Sequence, residues 1–341
     1  MLPVSVPFGT LSDGRESQLL LLSNASGMTV ALTDIGASIV SVRVPNAQGD
    51  LVDVALGYLG ARGYEEGSTC FGTTVGRIAN RTANGRFTLE GREYVMAQNE
   101  GENNLHSGPD MWSIRLWDVA ERSDGRVVFE LDSPDGDQGL PGSVTMRVVY
   151  ELTDDNQLVL TYEGTASAAT PMSITNHSYW NLNGHAAKGV LEHTISVDAQ
   201  KYLPTDATGI PLGTISSVKG TPLDVCEPTP LTSILSELPG GIDHNYCLEN
   251  DGKLAHAVRL VGTRSGIALD VSTDAPGIQV YMSGMLNPMV GKDGATYERF
   301  CSVALEAQQW PDAIHHSDWP SPVFGPERPY KQTTVFAFSA E

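Results

Sequence analysis

The chain has 341 residues, a formal net charge of −20 at pH 7 and a sequence pI near 4.6. Nucleic-acid binding needs a basic surface, and no basic cluster is visible, so this balance excludes nucleic-acid partners and disfavours anionic membranes. Hydrophobic residues make up 40% of the chain, so disorder is not expected either.

The cysteines and the N-terminal residues bear on compartment. Cys70, Cys226, Cys247 and Cys301 are far apart and form no Cys-x-x-Cys pair, which argues against a zinc knuckle or a disulfide scaffold. Residues 1–7 lack a basic region followed by an apolar core, and no apolar run is long enough to cross a bilayer. We therefore expect a cytoplasmic protein without membrane association.

Apolar and polar residues alternate with a period of two along most of the chain, which predicts β-strands. In chain order, the clearest predicted elements are the hairpin Arg86–Leu89 with Arg92–Val95, the hairpin Val144–Leu152 with Leu158–Tyr162, the short helix Leu231–Leu238, the hairpin Val258–Val261 with Ile267–Val271, and the closing strand Thr334–Phe338. Turn signals recur at short spacing without a break in composition. We predict an all-β protein with very little helix, built as one large antiparallel β-sandwich, and a single domain over residues 1–341.

The run Asn176–Leu182 is the first candidate for function. It places His177 among amide, hydroxyl and aromatic side chains directly after a strand-like segment. Imidazole exchanges a proton near neutral pH, and aromatic faces beside hydrogen-bonding groups suit sugars. A lone histidine at a strand end is usually structural, but the neighbours Asn176, Tyr179 and Asn181 favour a functional interpretation.

Glu306 is the most suggestive acid, because it interrupts an apolar, strand-like run. Burial there would raise the pKa of the carboxyl towards values useful to a general base. On a strand, Gln308 and Trp310 would share its face and add a polar–aromatic patch. The alternative is a strand position that faces solvent.

Other polar residues leave two interpretations open. His106 lies in a polar loop and could be a solvated histidine. Arg77 and Arg81, four residues apart, could bind a polyol or an anion, or could be surface arginines. Asp243 could accept sugar hydroxyls or could cap a turn.

Several familiar catalytic motifs are absent from the sequence, among them a dinucleotide-binding glycine pattern, a phosphate-cradling loop, a nucleophile elbow and a helical zinc motif. His315 and His316 are adjacent, so on a strand they would point to opposite faces and would not chelate one metal. A histidine and a glutamate alone can transfer protons and do little else. We expect no metal and no cofactor.

The chain resembles the aldose 1-epimerases, or galactose mutarotases, over nearly its whole length. The resemblance rests on motifs that occur in order, namely Gly76–Arg81, Asn104–Gly108, Thr175–Leu182, Tyr202–Pro204, Gly241–Tyr246, Pro276–Tyr281 and Leu305–Ala313. It implies the galactose mutarotase-like supersandwich with a sugar cleft. It also implies an isomerase that interconverts the α and β anomers of free hexoses such as galactose and glucose.

The same motif matches imply roles for individual residues. Glu306 resembles the general base and His177 the general acid. Five residues resemble sugar-binding or transition-state-supporting groups: Arg81, His106, Asp243, Gln279 and Asn80. The implied partner is a monosaccharide, and we expect a monomer or a weak homodimer. The loop Ser107–Ile114 departs from the family pattern, so the preferred sugar stays open.

Three rival functions fit some of these residues. A non-catalytic carbohydrate-binding module would explain Trp180 and Trp310. A glycoside hydrolase would pair Glu306 with Asp243 as its two carboxylates. A sugar-phosphate mutarotase would need more basic residues at the cleft than the two arginines of Gly76–Arg81.

Overall fold

The computed structural model describes residues 3–340, and its main strands form three antiparallel sheets. The five-stranded sheet runs in the order Val4–Thr10, Glu16–Ser23, Thr29–Thr33, Ser38–Pro45 and Leu51–Asp53. The nine-stranded sheet runs in the order Asp118–Ser123, Arg126–Ser133, Val144–Leu152, Gln157–Ala166, Tyr330–Ala340, Ile267–Thr273, Ala255–Val261, Thr194–Val197 and Thr229–Pro230. The six-stranded sheet runs in the order Tyr179–Trp180, Val303–Gln308, Gly277–Tyr281, Asp243–Cys247, Lys201–Tyr202 and Ser216–Ser217.

Short strand pairs and helical segments connect these sheets. The pairs are Arg81–Thr82 with Asn104–Leu105, Thr74–Val75 with Thr175–Asn176, Thr170–Pro171 with Val323–Phe324, Met289–Val290 with Thr296–Tyr297, and Arg86–Leu89 with Arg92–Val95. The α-helices are Ala61–Glu66 and Leu231–Glu237; the 3₁₀ turns are Ala83–Gly85, Trp112–Ile114, Asp137–Gly139, Lys292–Gly294 and Ala313–His315. Within residues 3–340, every helix is too short or too polar to cross a bilayer.

The structure confirms the predicted all-β sandwich and its clearest elements. All three predicted hairpins pair as expected, and the predicted helix spans Leu231–Glu237. The closing strand is longer than predicted, since Tyr330–Ala340 pairs with Gln157–Ala166 on one side and with Ile267–Thr273 on the other. The helix Ala61–Glu66 was not predicted, because six residues carry too little periodicity. That the chain forms a single domain stays a prediction.

The main core takes side chains from all three sheets. Trp180, from the six-stranded sheet, packs against Phe336 and Phe338 of the nine-stranded sheet at ring-centroid distances of 5.2 and 5.6 Å. On the neighbouring strand Val303 and Leu305 enter the same core. Because side chains alternate along a strand, the residues between them point to the other face of the six-stranded sheet, where the candidate site lies.

Candidate active site

Three adjacent strands of the six-stranded sheet form the floor of the site. Gln279 stands directly opposite Glu306 in the strand register, and Asp243 stands opposite Tyr281, two residues further along. Residues paired across antiparallel strands share a face, as do residues two apart, so all four side chains lie on one side. Nε2 of Gln279 donates a 2.6 Å hydrogen bond to Oδ1 of Asp243, which holds that carboxylate in place.

His177 reaches the floor from the connection that leads into the edge strand Tyr179–Trp180. The backbone N–H of His177 donates to the carbonyl oxygen of Thr73 at 2.9 Å. Its ring stacks on Tyr179, with ring centroids 4.8 Å apart and planes inclined by 15°. This packing leaves Nε2 of His177 3.5 Å from Oε2 of Glu306, the nearest approach between the two candidate catalytic groups.

Burial acts on both groups and disfavours charge on each. It raises the pKa of Glu306 well above its ordinary value, with the Asp243 carboxylate adding to the effect. It lowers the pKa of His177 to about 4. Both shifts act in the same direction, since they favour a neutral carboxyl beside a neutral imidazole over an ion pair.

Backbone contacts set the protonation of His106. Its Nδ1 accepts a hydrogen bond from the backbone N–H of Asn80 at 3.1 Å, so the proton of the neutral ring lies on Nε2. Burial lowers the pKa of His106 well below its ordinary value, with His177 and Arg81 as further causes, and so keeps the ring neutral. His106 therefore offers an N–H donor beside His177, whose ring centroid is 5.5 Å away.

Arg81 is held by a bidentate ion pair with Glu100. Its Nε and one terminal nitrogen donate to the two carboxylate oxygens of Glu100 at 2.6 and 2.7 Å. Burial alone would lower the pKa of Arg81, but the Glu100 hydrogen bonds and charge outweigh it and raise that pKa. The guanidinium is thus fixed in position, with much of its charge already compensated.

These side chains enclose a cavity of about 160 Å³. Its scale is that of a monosaccharide, since cavities for drug-sized ligands are usually ~300–1,000 Å³. A wider cleft of about 920 Å³ adjoins it, and the two share residues of the rim and floor, among them Arg81, Glu100, Asp243 and Gln279. The inner cavity thus opens outward past the Arg81–Glu100 ion pair.

Comparison with known proteins places this site in a family. The family model described as aldose 1-epimerase matches residues 18–337. The chain belongs to the aldose 1-epimerase family. It is 38% identical to galactose mutarotase from Bos taurus over 97% of both chains, and 35% identical to aldose 1-epimerase from Escherichia coli K12 over 96% of this chain and 97% of that protein.

Solved structures agree with this assignment. An aldose epimerase homologue from C. elegans superposes with a TM-score of 0.89 at 29% identity, covering 95% of this chain and 99% of its own. Galactose 1-epimerase from Lactobacillus acidophilus superposes with a TM-score of 0.86 at 25% identity, covering 99% and 98%. The supersandwich expected from the epimerase resemblance is therefore confirmed.

The structure brings every candidate site residue of the epimerase motifs to one place. All seven line the inner cavity, namely Glu306, His177, Arg81, His106, Asp243, Gln279 and Asn80. Glu306 is buried rather than facing solvent, which was the alternative left open by the sequence. Their individual roles in epimerase chemistry stay predictions.

Two aromatic residues expected near the sugar lie elsewhere. Trp180 is on the core face of its strand, because Tyr179 takes the cavity face and side chains alternate. Trp310 packs edge-on against Trp319 and donates its indole N–H to the carbonyl of Pro276 at 2.8 Å. Trp310 therefore does not reach the cavity, whose aromatic wall is built by Tyr179 and Tyr281.

The amides flanking His177 also have structural partners. Nδ2 of Asn176 donates to the carbonyl oxygen of Gly72 at 2.8 Å, and Nδ2 of Asn181 donates to that of Cys301 at 2.9 Å. Gly72 in turn donates its N–H to the carbonyl of His177. These asparagines therefore support the backbone around His177 instead of contacting a ligand.

His315 ends a 3₁₀ turn and His316 directly follows it, so neither lies on the strand assumed from the sequence. Nδ1 of His315 lies 2.7 Å from Oδ1 of Asp312, and Nε2 of His316 lies 3.8 Å from Oδ2 of the same residue. Across residues 3–340, no group of three or more His, Cys, Asp or Glu side chains is arranged to hold a metal ion.

Arg77 is a structural residue, so its interpretation as a ligand-binding arginine was wrong. Its side chain is fully buried, and burial lowers its pKa to about 10. The guanidinium donates to five acceptors: the carbonyl oxygens of Pro141, Gly142 and Pro134, and the hydroxyl oxygens of Ser133 and Thr170. Arg77 thus ties together loops behind the cavity.

We expect Arg77→Met to lower the free energy of unfolding by roughly 2–4 kcal/mol, because several buried acceptors lose their donor. Urea unfolding measures this loss. The matched variant Arg81→Met should cost at most about 1 kcal/mol, since its ion pair is partly exposed, but should raise KM for sugar. A higher KM in folded Arg77→Met with unchanged stability would contradict this division of roles.

Some cavity residues were not predicted. Glu100 lies in an acidic, glycine-containing loop without periodicity, and Tyr281 and Met285 follow Gln279 without a chemical signal of their own. The only local signal for Glu100 was its place six residues before His106, in a loop that precedes a family motif. Position in the chain does not reveal that its carboxylate reaches Arg81.

Proposed function

We propose that this chain is a mutarotase of free hexoses such as galactose and glucose, with Glu306 as general base and His177 as general acid. The observation that carries the proposal is the 3.5 Å approach of His177 Nε2 to Glu306 Oε2 at the floor of a monosaccharide-sized cavity. The names of the relatives, galactose mutarotase and aldose 1-epimerase, support the same substrate class.

The spacing of the two groups suits the anomeric centre. The ring oxygen and the hydroxyl that must exchange protons are both bonded to C1, so the acid and the base must stand close together. In the proposed mechanism Glu306 and His177 together hold the one proton that the reaction needs. Its transfer from Glu306 to Nε2 of His177 creates the carboxylate and the imidazolium without a proton from solvent.

Ring opening then follows. Glu306 removes the proton of the C1 hydroxyl while His177 protonates the ring oxygen, which yields the open-chain aldehyde. Both groups return to the protonation state of the empty site, a neutral carboxyl beside a neutral imidazole. C1 rotates about its bond to C2, and the reverse transfer closes the ring on the other face.

The remaining cavity residues position the sugar. The Nε2–H of His106 and the guanidinium of Arg81 would donate to oxygens whose negative charge grows during ring opening. The oxygen of Asp243 that does not bond Gln279 would accept a sugar hydroxyl. Each contact orients the ring so that C1 meets the acid–base pair.

Two rival functions are less well supported. A binding module gives no reason to bury a carboxylate against an imidazole, which costs stability. A glycoside hydrolase needs a second carboxylate free to act across the bond, but Asp243 already accepts a hydrogen bond from Gln279. We place mutarotation ahead of both.

Polarimetry with freshly dissolved α-D-galactose and α-D-glucose tests the proposal. We expect the protein to accelerate the approach to anomeric equilibrium in proportion to its concentration. Sugar binding by calorimetry without acceleration would favour the binding module. Release of reducing ends from disaccharides without acceleration would favour the hydrolase.

The pH dependence of kcat/KM follows from the shifted pKa values. The active form carries one proton, so activity should fall below about pH 4, where His177 takes up a second proton. It should fall again above the raised pKa of Glu306, where no proton remains for the ring oxygen. Rates corrected for uncatalysed mutarotation measure both limbs of the pH profile. ¹⁵N NMR of the imidazole measures the protonation of His177. An acidic limb near ~6.5, the ordinary pKa of histidine, or an imidazolium signal at pH 7 would contradict this assignment.

Compartment and assembly are also proposals. Cys70, Cys226, Cys247 and Cys301 are all free thiols, which is compatible with a reducing cytoplasm. We propose a cytoplasmic monomer or weak homodimer. Sedimentation over a range of protein concentrations tests the proposed monomer or weak homodimer, and a tight oligomer at all concentrations would contradict it.

A further inference from the structure

The charged side chains that line the approach to the sugar cavity are mostly acidic. Among the described residues that line the inner cavity and the outer cleft, five are carboxylates and one is a permanent cation. The carboxylates are Glu100, Glu102, Asp206, Asp243 and Glu306, and the cation is Arg81. The imidazoles of His106, His177 and His244 add no charge near pH 7, because burial lowers each of their pKa values.

Among the described residues that line the cavity and the cleft, Arg81 is the one cation that could attract an anionic sugar. Its guanidinium is already paired with the carboxylate of Glu100. Two hydrogen bonds of 2.6 and 2.7 Å use Nε and one terminal nitrogen, the fork that would otherwise grip a carboxylate or a phosphate.

The opposite side of the guanidinium is covered by backbone. Gly209 has a φ of +81°, and a Cβ at this position would lie only 2.8 Å from Cζ of Arg81. The adjacent Thr208 accepts a 3.2 Å hydrogen bond from Nδ2 of Asn103, which ties this loop to the loop that carries Glu100. Arg81 is therefore confined between Glu100 and Gly209 and cannot turn towards an anionic group elsewhere in the cleft.

We propose that Glu100 is a specificity-determining residue that makes this a cleft for neutral and cationic aldoses, such as hexoses and amino sugars, and closes it to uronic acids and sugar phosphates. The proposal rests on the mutarotase function and narrows its substrate class. Through its ion pair Glu100 cancels the positive charge of Arg81. The carboxylates of Asp206 and Asp243 then dominate the field in the cleft, which repels anions and attracts an ammonium group.

Three sugars with the same configuration at C4 test the proposal: D-galactose, D-galacturonate and D-galactosamine. For the wild-type protein we expect kcat/KM for galacturonate to be roughly ten- to a hundredfold below that for galactose, and galactosamine to be the better of the two charged sugars. Raising the salt concentration should lift the galacturonate-to-galactose ratio and lower the galactosamine-to-galactose ratio, because screening weakens both effects.

The variant Glu100→Gln frees Arg81 and should raise the galacturonate-to-galactose ratio by roughly tenfold. Glu102→Gln is the matched control, since it removes the same charge from the same loop, while the structure shows no ion pair between Glu102 and Arg81. It should change the ratio less than about twofold. Equal shifts in the two variants, or wild-type protein that turns over galacturonate as well as galactose, would overturn the proposal.

If the proposed mutarotase function itself were wrong, the outcome would differ from a failure of the proposed role of Glu100. In that case no sugar, galactose included, would be anomerised faster than in buffer. Calorimetric binding of the three sugars to wild-type protein would then still test the charge order. Galacturonate that binds as tightly as galactosamine at low salt would overturn the role of Glu100 whatever the catalytic outcome.

Discussion

Glu306→Gln should lower kcat for α-galactose mutarotation by roughly 10²–10⁴-fold, the usual contribution of a positioned general base. The amide keeps the size of the side chain and its place opposite Gln279, but it cannot take up the proton of the C1 hydroxyl. Galactose should still bind, because Arg81, His106 and Asp243 are unchanged. Polarimetry measures the rate, and calorimetry measures the binding.

Glu327→Gln is a suitable control for that variant. Glu327 is exposed and lines neither the inner cavity nor the outer cleft, so its loss of charge should leave kcat unchanged. Full activity of Glu306→Gln would refute the base assignment. Loss of both activity and galactose binding would show instead that Glu306 mainly holds the sugar.

His177→Gln should lower kcat by a similar factor of roughly 10²–10⁴, because the ring oxygen loses its proton donor during ring opening. It should also change the acidic limb of the pH profile, since the protonation of His177 near pH 4 no longer contributes to it. The stack on Tyr179 is lost as well, so thermal unfolding must show that the variant remains folded.

His193 offers a matched control for His177. It too is buried, and burial lowers its pKa to about 4, but its Nε2 accepts the backbone N–H of Leu182 at 3.0 Å and it lies outside both cavities. His193→Gln should lower stability and leave kcat of the folded protein unchanged. If the two variants lost kcat equally, the effect of His177→Gln would be structural, and the general-acid role would be wrong.

Much of the fold could be predicted because its pattern is local. Strands such as Val144–Leu152 alternate between buried and exposed side chains, so their hairpins follow from periodicity and turn residues. The same logic singled out Glu306, since a carboxylate in an apolar strand is unusual at any position. Family motifs then added the residues whose chemistry alone was ambiguous, such as His106 and Asp243.

What periodicity could not supply was the face and the partner of each side chain. Tyr179 and Trp180 look equally suited to a sugar in the sequence, but the sheet register sends one to the cavity and the other to the core. Arg77 and Arg81 look alike, yet Arg77 is fully buried among carbonyl groups while Arg81 reaches the cavity.

The sequence by itself determined the all-β class, its hairpins, the family and the histidine–glutamate pair, because these depend on residue type and short-range spacing. The tertiary structure decided that Nε2 of His177 lies 3.5 Å from Oε2 of Glu306 and that Glu100 occupies Arg81. Each contact joins two residues that lie on different segments of the chain. Their energies depend on distance and desolvation, which only the folded chain defines.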